Sequence, residues 1–432
     1  MVEKMRTKFK QTEIGKIPED WEVKIFSEVI EVNPKREFKK GSNLKYIGMT
    51  DLKEFDKKIQ NFVVKEFKGG MKFKNGDTLM ARITPCLENG KIAFVDILDE
   101  NEIGFGSTEF IVLSAKENQT TNDFVYYLAR SPQVREKAIK SMVGTSGRQR
   151  VQNEVFDNLK IAFPPLTEQQ AIAKILSDLD DKIELLQKQN KTLEEIGQAI
   201  FKHWFVDFEF PDENGKPYKS SGGKMVKSEL GEIPKGWKVE TIGDTVTIKG
   251  GTTPNTGIKE YWKNGLINWC TPKDLSNLNS HVLLDTERKI TEKGLVNISS
   301  GLLPKGSLLL SSRAPIGYLA LSEIPVAINQ GFIAILCGGK VSNYYMLNWV
   351  KFNLEVVKNR AGGSVFQEIN KVNFRSINIL VPTQDTLKIY DILLNKLYKK
   401  IILNEKLSRN LSQIRNNLLP KLMSGKIRVK YE

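Results

Sequence analysis

The sequence predicts an α+β fold: two β-rich domains with small helices, separated by a long antiparallel two-helix coiled coil and related by internal pseudo-two-fold symmetry. Three observations carry this expectation. Landmarks recur at a nearly constant offset, the stretches between them are short apolar runs cut by Gly, Asn and Asp, and each half ends in a segment with a four-three apolar repeat.

The repeat comes first. TEIGKIPEDWEV at 12–23 returns as SELGEIPKGWKV at 228–239, identical at six of twelve positions at an offset of 216. GDTLMARITP at 76–85 parallels GSLLLSSRAP at 306–315, each a Gly-led turn, an apolar strand and an Arg beside a Pro-terminated loop. VFDNLKIAFPPLTEQQ from 155 parallels NFRSINILVPTQD from 373, at an offset of 218. Between these landmarks LKYIGMTDL, KIAFVDIL and EFIVLSA have strand composition, while 122–142 and 342–358 have helical composition. A Gly-rich loop follows each helical stretch, VGTSGRQRVQ at 143–152 and RAGGSVFQE at 360–368. Trp21 and Trp237 recur in the domain-opening frame and are expected to pack the cores, the other reading being that they stack on bases, with Pro18 and Pro234 fixing the entry turn.

From Thr167 the period changes. Thr167 and Gln170 have capping-box spacing, and Ile172, Leu176, Leu179, Ile183, Leu186, Asn190, Leu193 and Ile200 follow at coiled-coil intervals. Leu397, Ile401, Leu411 and Leu418 repeat part of that seam at the offset of 218; Asn404 and Ser408 interrupt it, and Leu403 and Leu407 broaden the stripe. The polar Asn190 suits a register-setting role. Expected boundaries are 1–166 and 229–382 for the domains, 167–205 and 383–424 for the helices, 206–228 for a linker and 425–432 for a tail. Pairing of the helices, antiparallel so as to place one domain at each end, makes them a spacer of set length.

Composition bounds the function classes. With 65 Lys plus Arg against 51 Asp plus Glu, the net charge of +14 favours a polyanionic partner. Three scattered cysteines and two histidines, His203 and His281, offer neither a disulfide framework nor zinc-ligand spacing, and a reducing cytoplasm is the expected location. The N-terminal segment has positive charge without an apolar core, and no apolar run approaches the roughly 20 residues that span a bilayer, so no membrane role is expected. No phosphate-loop motif, no N/D-P-P-Y/F methylation tetrad and no nuclease signature is present, and GGTTPNTG at 250–257 lacks the closing Lys-Ser/Thr. His203, beside Trp204 at the end of the first helix, is expected to pack or cap. Catalysis has no candidate residue.

The G-x-I-P-x-x-W opening, the F-P/V-P segment leading into the helix, and the junction IFKHWFVDFEFPDENGKPYKSSGGKMVKSELGEIPKGW resemble the specificity subunit of type I restriction-modification systems over essentially the whole chain. That resemblance implies a non-catalytic subunit reading a bipartite target on double-stranded DNA. It implies two modification subunits docked on the helices, with restriction subunits joining through the complex. It also implies that S-adenosylmethionine, ATP and Mg serve those partners, with no cofactor bound by this chain. A stand-alone architectural or regulatory DNA-binding protein, or a helical scaffold, shares the layout without the partners.

Candidate DNA-binding residues are polar side chains on the loops. Arg82 and Thr84 in the first domain are matched loosely by Arg313 in the second, and a structural role in the repeat is the other reading of each. Arg148, Gln149, Arg150 and Gln152 form a denser set; Arg suits guanine O6/N7 and Gln adenine N6/N7, while either suits phosphate. Ser364 and Gln367 occupy the comparable second loop, which lacks the double Arg, so the halves are expected to read different sequences. Lys259, Lys263 and Lys273 are candidate phosphate contacts.

Overall fold

The computed structural model describes residues 8–38, 41–145, 147–362 and 367–429. They form two compact units. The first comprises residues up to Ile183 together with those from Asn410 onward, and the second comprises Glu184–Arg409.

In the first unit the domain-opening motif is a hairpin, Phe9–Thr12 with Gly15–Pro18, followed by strand Glu22–Ile25, which pairs antiparallel with Lys160–Phe163. A four-stranded sheet orders Ile30–Val32, Phe110–Ala115, Thr78–Ala81 and Ile92–Phe94. Its strand Thr78–Ala81 is buried along its whole length, which is why an unbroken apolar run suits it. Gly76 leads that strand at φ +90°, a left-handed turn that favours glycine, and Gly306 does the same before Leu308–Ser311. Helices Asn122–Arg130 and Pro132–Lys140 cover one face; Thr121 caps the first by accepting from Phe124 N, a contact worth about 1 kcal/mol. Trp21 is fully buried, and its indole donates to Glu168 at 2.8 Å.

The second unit repeats the plan. Its hairpin is Met225–Ser228 with Gly231–Pro234, and Lys238–Thr241 pairs with Asn378–Val381. The main sheet, here five-stranded, contains Leu308–Ser311 between Phe332–Cys337 and Leu319–Ser322. The segment expected as a linker, 206–228, folds onto this core: Phe210 stacks on Trp237 and Tyr218 at 4.9 and 4.6 Å.

The long helices are continuous over Leu166–Phe205 and Gln384–Met423. The first begins one residue before the expected cap, with Gln169 N bonded to Pro165 O, so Thr167 already lies inside the helix. Pairing is antiparallel within each unit. In the first, Ile172 and Leu176 share a core with Leu419, Leu422 and Met423, and Asp180 meets Arg415. In the second, Asn190 donates to Glu405 at 2.8 Å and accepts from Asn404 at 2.9 Å. Ile172, Leu176, Ile183, Leu186, Asn190 and Ile401 are buried; Leu179, Leu193, Ile200, Leu397, Leu411 and Leu418 are half-buried. One expectation is overturned. Asn404 and Ser408 are buried and continue the seam, whereas Leu403 and Leu407 face solvent at 58% and 39% exposure. For Asn404 a polar partner on the facing helix, Asn190, makes the seam position tenable, and a single helix's apolar pattern does not contain that information. His203 is exposed, and its carbonyl accepts from Glu209 N at 2.9 Å.

Residues after the second long helix return to the first unit. Gly425 turns at φ +68° against Pro18, where a Cβ would approach Pro18 Cγ to 2.3 Å. Arg428 then binds Asp20 at 2.6 Å and Glu168 at 2.7 Å.

Candidate nucleic-acid interface

In the first unit the loop after the helix at 132–140 folds back as a short antiparallel ribbon. Arg150 exchanges both backbone bonds with Val143 at 3.0 Å and bridges Ile83 on its other side. Val151 N donates to Arg82 O at 2.8 Å, Thr84 N to Gln149 O at 3.0 Å, and Arg82 N to Glu109 O at 2.9 Å. Main-chain bonds thus gather Arg82, Thr84, Gln149 and Arg150, with Arg148 and Gln152 on the same ribbon.

Their side chains divide by environment. Arg82 Nη2 donates to Val151 O at 3.1 Å, and Thr84 Oγ1 lies 3.4 Å from Met142 Sδ. Arg148 is exposed at the tip, where its N–H closes a turn onto Thr145 O at 3.0 Å. Gln149 is half-buried, and the exposed Gln152 donates to Arg150 O at 3.2 Å. Arg150 holds Glu109 with Nε at 2.9 Å from both carboxylate oxygens and Nη2 at 2.7 Å from Oε1. Those hydrogen bonds hold the Glu109 carboxyl below its usual range and raise the Arg150 guanidinium.

The second unit builds the same ribbon. Glu368 exchanges bonds with Gly362 at 3.0 and 3.1 Å and bridges Arg313, while Ile369 N donates to Ser312 O and Ser312 N to Gly331 O. The backbone register corrects the expected match between Arg82 and Arg313. Ser312 is the counterpart of Arg82, and Arg313 stands where the first unit has Ile83. Arg313 and Glu368 approach to 3.5 Å through a single Nη1 contact, both about two-fifths exposed. Gln367 is exposed beside them, and Ser364 lies outside the described residues.

The three lysines do not join this ribbon. Lys259 and Lys263 are exposed on the turn that Trp262 Nε1 ties to Asn255 O at 3.1 Å, and Lys273 is paired with Glu287 at 3.0 Å. The loop at 250–257 is a latch: Thr252 Oγ1 donates to Asn297 O and Thr253 Oγ1 to Gln330. Sequence reading missed Glu109 and Glu368. Glu109 lies 41 residues from Arg150, and no local spacing signals the pair. Among the described residues no cluster of His, Cys, Asp and Glu is arranged to hold a metal ion, and no helix is long and apolar enough to cross a membrane.

The family model for the type I restriction modification DNA specificity domain matches this chain twice, at residues 18–195 and 234–413. The chain is 28% identical over 449 residues to the type I restriction enzyme MjaIX specificity subunit of Methanocaldococcus jannaschii, covering 98% of this chain and 97% of that one. Against the type I restriction enzyme HindI specificity subunit of Haemophilus influenzae it is 25% identical over 421 residues, covering 84% and 90%. The crystal structure of the type I restriction-modification system S subunit from M. genitalium shares the fold, with a TM-score of 0.51 at 16% identity over 99% of this chain and all of the other.

Proposed function

The chain belongs to the type I restriction modification DNA specificity family, as the non-catalytic, sequence-specific DNA-binding subunit that directs such a complex, and from that premise we propose how it reads its target. Each β-rich domain reads one half of a bipartite site on double-stranded DNA through its loop ribbon. The observation that carries this is the duplicated main-chain framework around Arg82 and Ser312, which presents different side chains on a common scaffold. Rigid scaffold with variable loop chemistry is how one fold reads two sequences.

In this reading Arg148, Gln149, Arg150 and Gln152 face one half-site and Arg313, Ser364 and Gln367 the other, with Lys259, Lys263 and Lys273 nearer phosphate. Arg82 and Thr84 act as supports. Two modification subunits dock on the long helices. The exposed Ile389, Ile392, Leu393, Leu403, Leu407 and Ile414 of the second helix support an apolar contact there. Those subunits use S-adenosylmethionine to methylate adenine, and restriction subunits use ATP and Mg. The paired helices set the spacer between half-sites, so matched seven-residue insertions in both should lengthen the spacer by up to about three base pairs.

The test is selection of bound sites from randomised DNA by the full chain with its modification subunits. Two short defined elements separated by unspecified bases are expected, with Arg148→Ala altering only one. A single continuous element, or a change in both elements, would overturn the assignment.

A further inference from the structure

We infer that Arg150 reads a guanine in the major groove and that Glu109 is its positioning residue. This rests on the reading that the first domain's ribbon faces DNA, and it names which base one side chain recognises and how that side chain is held.

A guanidinium carries five N–H donors in one plane. Glu109 occupies one edge, that of Nε and Nη2, with distances of 2.7–2.9 Å. The opposite fork, made by Nη1 and the second hydrogen of Nη2, points away from the carboxylate, and the Arg150 side chain remains 42% exposed. Two parallel donors match the O6 and N7 acceptors of guanine. Adenine places an N6 donor against one of them, cytosine presents an N4 donor, and thymine offers a single acceptor beside a methyl group.

The charge arithmetic separates base from phosphate. A phosphate contact gains from uncompensated positive charge. Arg150 is paired with a carboxylate that would itself repel phosphate, so the pair is close to neutral and its discrimination is geometric. Pre-organisation favours the same conclusion. Arg150 is fixed through its backbone to Val143, and Glu109 through its carbonyl to Arg82 and its N–H to Ser107 Oγ at 3.1 Å. The rotamer freedom a free arginine loses on binding is therefore already lost in the unbound protein. Arg313 has no such hold, since one 3.5 Å contact leaves its plane undetermined, and the inference is confined to the first domain.

The experiment uses site selection from randomised DNA with the full chain and its modification subunits, comparing wild type, Arg150→Lys, Glu109→Gln and Glu109→Asp. Wild type should show an invariant guanine at one position of one half-site. Arg150→Lys keeps the charge without the fork and Glu109→Gln keeps the shape without the charge; each should lower preference for that guanine about tenfold or more. Glu109→Asp should restore part of it. The half-site of the second domain is the internal reference.

Replacing that guanine by 7-deazaguanine supplies a readout that a merely structural role would not move. Wild type should lose affinity, while Arg150→Met, which has no donor to offer N7, should lose none beyond its own defect. If wild type selects a half-site whose preferences survive Arg150→Lys and Glu109→Gln, or if 7-deazaguanine weakens wild type and Arg150→Met equally, the inference fails while the bipartite reading stands. If wild type selects no half-site through the first domain, both fail.

Discussion

The two halves solve the same packing problem with opposite chemistry. In the first unit the long helices meet at Asp180 and Arg415, both nearly fully buried, and Asp180 also accepts from Tyr127 Oη at 2.7 Å. Arg130 joins from the neighbouring helix, donating to Tyr126 Oη at 2.8 Å, and the Phe55 carbonyl accepts from both arginines. Positions offset by 218 in the second unit replace Arg130, Asp180 and Arg415 with Asn348, Tyr398 and, by the inverse offset, Gly197. There Tyr398 stacks on Tyr344 at 5.0 Å, and Asn348 donates to Tyr390 Oη at 3.0 Å. Duplication kept the helix register and let the buried chemistry diverge, so one unit is held by charge and the other by rings.

Breaking the ionic version should have the largest effect. Arg415→Met strands the Asp180 carboxylate away from water and should cost about 3–5 kcal/mol of stability, read by urea unfolding. Asp180→Leu combined with Arg415→Met removes both charges and should recover most of that loss. Equal losses in the single and double variants would mean that the pair supplies shape rather than charge compensation.

The tyrosines sharpen the contrast at smaller amplitude. Tyr127→Phe deletes a hydrogen bond to a carboxylate and should cost about 1.5–3 kcal/mol. Tyr398→Phe deletes a buried hydroxyl with no hydrogen-bond partner among the described residues, and should be neutral or slightly stabilising. Similar losses in the two variants would erase the distinction between the units.

The smallest effect is one of pH. Glu194 is buried on the first long helix, which raises its carboxyl, but the hydrogen bond and charge of His281 outweigh burial and hold it below the ordinary 4.5. A native carboxyl with a depressed pKa binds its proton later than the unfolded chain does, so its contribution is complete above the ordinary value and is lost as pH falls through the native one. Wild type should therefore lose stability below about pH 4.5 more steeply than Glu194→Gln, and the difference should flatten above it. Parallel curves through that range would remove the pair from the acid response.

How far this was legible follows from the same residues. The duplication, the strand content and the first helix's seam were open to inspection, because Ile172, Leu176, Ile183 and Leu186 are apolar and repeat locally. The second seam was not. Asn404 looks like a break until the facing Asn190 is known. The candidate loops were found from composition, yet the loose match of Arg313 to Arg82 followed residue type and missed by one residue the pairing that the alignment of 76–85 with 306–315 and the backbone register both give to Ser312. Glu109 and Glu368 carried no signal, being ordinary acidic residues whose partners are set by sheet pairing.

The chain's return to its starting unit has a consequence for synthesis. Residues 184–409 form a contiguous unit, but the first unit is completed only when Leu419, Leu422 and Met423 cover Ile172 and Leu176 and Arg428 closes on Asp20 and Glu168. At ribosomal elongation rates the intervening segment takes on the order of 10–50 s. During that interval the nascent first unit exposes an apolar helix face and a carboxylate awaiting its arginine, while the segment emerging behind it contains everything its own core requires. Vectorial synthesis therefore delivers the later half of the molecule as a finished unit before the earlier half can close.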